Sequence, residues 1–202
     1  MPRAVGQIDR VKNEAILEAA ADILSERGLS APMAMIARRA KVSKQTIYNH
    51  YGAKLDLIQA LVQRRVDAMT APLSAANSTA SAEDTLTAFA AVLLKLVSPP
   101  NGSRILRLTI QSSGEMPELA RDVFAAGPKA AIKRLSQFMA QEMKAGRLEA
   151  SDPVEAAEIF QGMTAGHRQT AALLGCAMDL DEGDIEPMAR RCARRFLKAY
   201  AP

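Results

Sequence analysis

Apolar side chains recur at three- and four-residue steps along most of this chain, and no stretch alternates cleanly with period two. Ile8, Val11, Ala15, Ile16, Ala19, Ile23 and Leu24 form one such stripe, which predicts a first helix over 9–27 with Gly28 as its stop. Pro32 fits the first helical position of a short second helix over 32–40. Ser43 can cap a third over 44–50 by accepting from the exposed N–H groups of its first turn. A fourth is expected over 53–69, ahead of Pro72.

Small polar residues over 73–81 predict a connecting loop, and Ser81 with Asp84 opens a helix that Pro99-Pro100 would end. Further helices are expected over 104–113, from Pro117 to a break at Gly127-Pro128, and from there to Ala145 with Gly146 as the stop. Asp152, Pro153 and Glu155 combine an N-cap, a first-turn proline and an acid three residues beyond the cap. A long helix should therefore cover 152–174, followed by Gly175, and a last one 185–200. The pattern is all-α: three small helices in a tight cluster, then an extended helical bundle, about nine or ten helices in all.

Composition narrows the class. The 202 residues are 49% hydrophobic and 24% charged, which fits one compact unit or two small ones sharing an element. The longest apolar runs, such as 88–94, fall far short of a membrane span. Asp9, Lys12, Glu14 and Glu18 leave residues 1–20 without the apolar centre of a signal peptide, so a cytoplasmic protein with no membrane partner is expected. Cys176 and Cys192 have no CxxC spacing and only two histidines accompany them, so two free thiols are expected, with no metal site and no cofactor.

The net charge of +4 is unevenly spread. Residues 1–66 hold 11 Lys+Arg against 6 Asp+Glu, whereas residues 67–202 hold 15 against 16. A polyanion-binding surface belongs in the first third.

Residues 33–51 carry the chemistry. Two short helices meet at the turn Lys41-Val42-Ser43, with Ile36 and Ala40 facing Val42, Ile47 and Tyr51. This is the arrangement of a helix-turn-helix, whose second helix enters the DNA major groove by its N-terminal end. With Ile47 and Tyr51 in the core, Lys44, Gln45, Tyr48 and Asn49 are left on the outer face. Gln45 stands where a side chain reaches base edges, and glutamine can pair with adenine through two hydrogen bonds. Lys44, Thr46, Tyr48, His50 and Lys54 suit phosphate contacts, which fix register and carry no sequence information. A capped amphipathic helix with a few polar residues is also common on ordinary protein surfaces, and His50 would then be a solvated side chain.

The run Ile36-Ala37-Arg38-Arg39-Ala40, Val42 to Tyr51 and Lys54 resembles the TetR/AcrR family of bacterial transcriptional regulators over residues 8–62. Met-Pro-Glu-Leu-Ala-Arg-Asp at 116–122 and Ala-Gly-Arg-Leu at 145–148 resemble its AefR-like C-terminal class. The resemblance implies an all-helical homodimer, with a DNA-binding helix-turn-helix domain at 1–54 and a ligand-binding and dimerisation domain at 55–202. It implies DNA contacts at Lys41, Ser43, Lys44, Gln45, Thr46, Tyr48, Asn49, His50 and Lys54. Two departures stand out. Lys41 occupies the turn position where the family usually has glycine, and if left-handed it costs about 1 kcal/mol or more, offset by a phosphate contact. Ala31-Pro32 stand where the family often has a capping threonine.

The expected function is a ligand-responsive repressor that binds double-stranded DNA as a dimer on a palindromic operator. The alternative is a DNA-binding protein of the same fold that organises the chromosome or recruits a partner without an effector. No Glu-x-x-His pair, Gly-rich phosphate loop or nucleophile elbow is present, which argues against a helical-bundle enzyme, and no catalytic residue is expected.

A two-fold site needs a two-fold protein, so the last two helices should form a four-helix bundle with their symmetry mates. Phe160, Ala171, Leu174, Met188, Cys192 and Phe196 are the expected interface residues, alongside Met163, with Gly162, Ala165 and Gly166 permitting close approach. A pocket for a small, largely apolar effector is expected at Phe89, Leu93, Leu106, Ile110, Gln111, Phe124, Met163 and His167. Gln111 and His167 are placed at its wall because each sits amid apolar neighbours. Core packing is the plainer role for each apolar residue of these sets.

Overall fold

A computed structural model describes residues 5–74, 80–98, 103–176 and 180–202, with side chains from Arg10 onward. The described residues are helical with no strand. In chain order the helices are α1 (Val5–Arg27), α2 (Met33–Arg39), α3 (Lys44–Tyr51), α4 (Lys54–Ser74) and α5 (Ala82–Val97). α6 (Arg104–Ser112), α7 (Pro117–Phe124), α8 (Ala130–Lys144), α9 (Pro153–Leu173) and α10 (Glu182–Ala199) follow.

Most ends fall where the sequence puts them, for identifiable reasons. Ser43 Oγ accepts from Thr46 N at 3.0 Å, Ser81 Oγ from Asp84 N at 3.1 Å and Asp152 Oδ1 from Val154 N at 2.8 Å. Glu155 does not complete a capping box, because its carboxylate accepts from the Ser151 hydroxyl at 3.3 Å instead. Gly28, Gly146 and Gly175 all adopt positive φ and stop α1, α8 and α9.

Prolines are where the structure departs from the sequence pattern. Pro72 does not end α4, which continues to Ser74. Its missing N–H deprives only the carbonyl of Ala68, an exposed residue that water can serve. Gly127-Pro128 does not break the helix either. Residues Ala125–Lys129 widen into one π turn that joins α7 directly to α8, giving the proline ring room against the preceding turn. α10 starts at Glu182, ahead of the expected 185, and carries Pro187 inside it. α1 starts at Val5, ahead of the expected 9. Pro32 is the N-cap of α2 and not its first helical residue, with φ −66°, ψ 140° and no side-chain cap. Pro99-Pro100, and residues 75–79 of the expected 73–81 loop, lie outside the described residues.

The chain divides into two compact units. The first holds residues up to Arg64 together with Ile105–Val123. Its helical cluster buries Ile16, Ala20 and Leu24 of α1, Ile36 and Ala37 of α2, Ile47 of α3 and Leu57 and Leu61 of α4. Val11, expected in the buried stripe of α1, is half exposed.

The second unit holds Arg65–Arg104 and Phe124–Pro202. Here α5 packs on α10 and α9, and α8 packs on α9. A run of rings forms its centre: Phe89 to Phe160 at 6.2 Å, Phe160 to Phe196 at 5.1 Å edge-on, and Phe196 to Tyr200 at 4.7 Å. At its periphery, Arg190 reaches Glu83, Asp84 and Glu186, and Arg194 also reaches Glu83, tying the start of α5 to α10. The Ser81 hydroxyl and Arg190 hold the Asp84 carboxyl below its ordinary pKa.

Candidate nucleic-acid interface

The turn between α2 and α3 is built by backbone chemistry. Lys41 N donates to Arg38 O at 3.3 Å and Val42 N to Ala37 O at 3.0 Å, the paired closure of a Schellman motif. Its left-handed position falls on Lys41, at φ 54°, the one non-glycine residue with positive φ among the described residues. The chain then extends at Ser43, whose hydroxyl caps α3 and lies 2.8 Å from the Thr46 hydroxyl.

On α3, Ile47 is fully buried, while Lys44, Gln45, Tyr48 and Asn49 are exposed and Thr46, His50 and Tyr51 half-buried. The outer side chains are already paired. Lys44 Nζ stands 5.6 Å from the centre of the Tyr48 ring, and Gln45 Nε2 donates to Asn49 Oδ1 at 2.7 Å. His50 lies beside the Tyr51 ring, at 6.2 Å between centroids.

Neighbouring helices hold this head in place. The Tyr51 hydroxyl donates to Asn13 Oδ1 of α1, and burial pushes the phenol up from its ordinary pKa. Arg39 bonds Asp22 at 2.9 Å, and Arg64 bonds Glu14 at 3.2 Å. Gly52 turns the chain into α4 at φ 64°, where a Cβ would sit 3.1 Å from Asp56 Oδ2. That same oxygen accepts from Ala53 N at 2.9 Å. Asn13 and Asp56 are thus positioning residues that the sequence reading missed. For Asp56 a signal was present, an acid three residues after Ala53, the residue that precedes α4.

Lys54 has a second commitment. Its ammonium donates to Ala31 O at 2.6 Å, and burial lowers its pKa. This bond ties the start of α4 to the segment before α2, where Pro32 offers no cap.

The other expected sites do not assemble as sets. Phe89 and Leu93 are core residues of the second unit. Leu106, Ile110 and Gln111 stand on α6, in the first unit, with Ile110 and Gln111 exposed. His167 is exposed on α9, so the premise of an apolar surround fails for both Gln111 and His167. Of the expected interface residues, Phe160 and Phe196 lie in the ring stack of their own unit. Ala171, Met188 and Cys192 are half-buried, and Leu174 is 75% exposed. Cys192 Sγ lies 4.0 Å from Met163 O, and burial raises its thiol pKa, while Cys176 is exposed.

Phe124, 58% exposed, does line a groove of about 540 Å³ with Pro128, Lys129, Ile132, Val154, Glu158, Gln161, Gly162, Gly166 and Gln169. Met163 does not line it. Among the described residues no cluster of His, Cys, Asp and Glu could hold a metal, and no helix is long and apolar enough to cross a membrane.

Comparison with known proteins agrees with this geometry. Residues 16–61 match the pattern described as bacterial regulatory proteins of the tetR family, and residues 84–202 that of the AefR-like transcriptional repressor C-terminal domain. Over 53 residues the chain is 45% identical to the HTH-type transcriptional activator FasR of Mycolicibacterium smegmatis, a match covering 26% of this chain and 24% of that protein. The chain thus spans about a quarter of that relative's length.

Among solved structures, the flavonoid-responsive regulator FrrA is 31% identical, with 95% of this chain and 97% of that one covered and a TM-score of 0.68. A TetR transcriptional regulator from Agrobacterium tumefaciens is 25% identical, with 94% of each chain covered and a TM-score of 0.72. A regulator from Mesorhizobium loti, 22% identical over 96% of this chain and 98% of its own, shares the fold at a TM-score of 0.79. With more than half its length matching one regulator class and its helix-turn-helix matching the same family, the chain belongs to the TetR family of bacterial transcriptional regulators and is a DNA-binding regulator rather than an enzyme.

Proposed function

We propose that this regulator is a ligand-responsive repressor that acts in the cytoplasm and binds a palindromic operator as a homodimer. The observation that carries the DNA reading is the outer face of α3, where Lys44, Gln45, Tyr48 and Asn49 stand exposed beside the left-handed Lys41. Gln45 reads base edges. Lys41, Ser43, Lys44, Thr46, Tyr48 and His50 hold phosphates, and Lys54 joins them with the donors that Ala31 leaves free. Repression is favoured because the matching repressor class covers residues 84–202, whereas the similarity to the activator FasR is confined to 53 residues.

The dimer reading is supported by the exposed apolar residues Ile159 and Met163 of α9 and Leu174 just beyond its end, beside half-buried Ala171, Met188 and Cys192. The effector reading rests on the groove at Phe124, whose size lies within the usual range for small-molecule sites, about 300–1,000 Å³. FrrA responds to flavonoids, so planar aromatic molecules are the first class to test.

The test is selection from random duplex DNA, with sedimentation of the protein and of its complex. The expected result is an enriched palindrome with half-sites about one helical turn apart, bound by a dimer and released by an aromatic effector. A monomer at micromolar concentration, or no enriched sequence, overturns the reading. The effector-free alternative draws on Phe89 and Leu93 being core residues. Operator affinity unmoved by a ligand that binds the groove would select it.

A further inference from the structure

Gln45 and Asn49 are one helical turn apart on α3, both exposed, and joined by a 2.7 Å hydrogen bond from Gln45 Nε2 to Asn49 Oδ1. We propose that the two act as a single reading unit, in which Asn49 is a positioning residue that fixes the orientation of the Gln45 carboxamide and thereby sets a preference for adenine at one operator position. The proposal rests on α3 being the reading helix.

A free glutamine amide on a helix surface can turn end for end, exchanging its donor and acceptor edges. The bond to Asn49 restricts that freedom: with Asn49 Oδ1 turned toward it only Nε2 can donate, so Gln45 can reverse only if Asn49 reverses with it. What remains on Gln45 is one N–H and the whole of Oε1. Adenine presents N7 as an acceptor and its N6 amino group as a donor on the major-groove edge, which matches that pair in number and kind. Guanine presents two acceptors there, and so leaves Oε1 facing another lone pair. Asn49, with its oxygen engaged, keeps two N–H donors, which suit acceptors such as guanine O6 and N7 or thymine O4. The adjacent Lys44 and Tyr48 pair through a cation over a ring and have no amide edge to compete.

Neither amide anchors the core, so variants at both positions should keep the wild-type melting temperature. The experiment is selection from a random duplex library, with quantitative binding to the preferred sequence and its single-base variants. It uses the whole protein as wild type, Gln45→Ala, Asn49→Ala, Asn49→Asp and the double alanine variant. Gln45→Ala identifies the position that this side chain reads, where the preference for adenine should fall about tenfold. Asn49→Ala should reduce the preference at that same position by a similar factor. The double variant should lose no more there than Gln45→Ala alone.

Asn49→Asp is the informative conservative change. Its carboxylate still accepts from Nε2, so the adenine preference should survive, while affinity for every sequence falls because a negative charge now faces the phosphates. Three outcomes overturn the proposal: an adenine preference unchanged in Asn49→Ala, an equal loss in the alanine and aspartate variants, or additive losses in the double variant. If the wild type selects no sequence, the assignment of α3 as reading helix fails first, and this inference with it.

Discussion

The turns that close α2 and α8 share one hydrogen-bond pattern, yet different residues fill its left-handed position. At the end of α8, Gly146 N donates to Met143 O at 3.0 Å and Arg147 N to Glu142 O at 2.9 Å, with Gly146 at φ 69°. The side chains reinforce this closure. Arg147 grips the buried Glu142 carboxylate with two bonds of 2.7 Å, and Leu148 follows into the core of the second unit. At the end of α2 the same two backbone bonds form around Lys41, with half-buried Val42 after it.

A left-handed non-glycine residue costs about 1–2 kcal/mol, and neither an ion pair nor a hydrogen bond to the Lys41 side chain offsets it among the described residues. One turn closes without left-handed strain and is reinforced by burial, whereas the other carries the strain without that reinforcement. Strain at a surface position becomes intelligible where the residue has work outside the fold. Lys41 stands two residues before Ser43, the cap of α3, the helix proposed to read DNA.

The comparison can be broken from the stable side first. Leu148→Ala should cost about 2–5 kcal/mol, read as the shift in chemical denaturation, because Leu148 is 4% exposed. A loss below about 1 kcal/mol would mean the α8 turn is not anchored by burial. Gly146→Ala isolates the backbone. A Cβ there meets nothing within 4 Å, so the expected cost of about 1 kcal/mol comes from φ alone. A variant as stable as wild type would remove the penalty on which the contrast with Lys41 depends.

These two turns also mark what the sequence could show. The helix-turn-helix was legible because its determinants are local. Within residues 33–51 lie the cap at Ser43, the buried Ile36 and Ile47, and the unusual Lys41. Gly146 and the Asp152 cap were legible for the same reason. Which stripe of a helix turns inward is a tertiary matter, and there the reading faltered. α9 is small and apolar around much of its circumference, so periodicity alone did not place Phe160 inward and Met163 outward. Phe196 met Phe160 and Tyr200 in its own unit rather than a symmetry mate. The bond of Lys54, expected at a phosphate, to the Ala31 carbonyl was not legible because that partner is 23 residues away in sequence. Gly127-Pro128 carried a local signal for a break, but a π turn absorbs the proline within continuous helix.

The smallest effect is the most informative, because it moves stability and binding in opposite directions. Lys41→Gly relieves the left-handed strain but adds a flexible residue to the unfolded chain. The net gain should be about 0.5–1 kcal/mol in chemical denaturation. The same change removes one cation from the reading turn, so operator affinity should fall and the slope of log affinity against log salt should flatten by about one charge. Lys41→Ala supplies the control. It removes the charge and keeps a Cβ at φ 54°, so its stability should stay near wild type while its loss of DNA affinity equals that of the glycine variant. If both variants bind the operator as tightly as wild type, the strain at Lys41 has no phosphate contact to explain it. If the glycine variant is no more stable than the alanine one, the α2 turn tolerates a side chain that the α8 turn does not, and the two closures differ in backbone energetics as well as in residues.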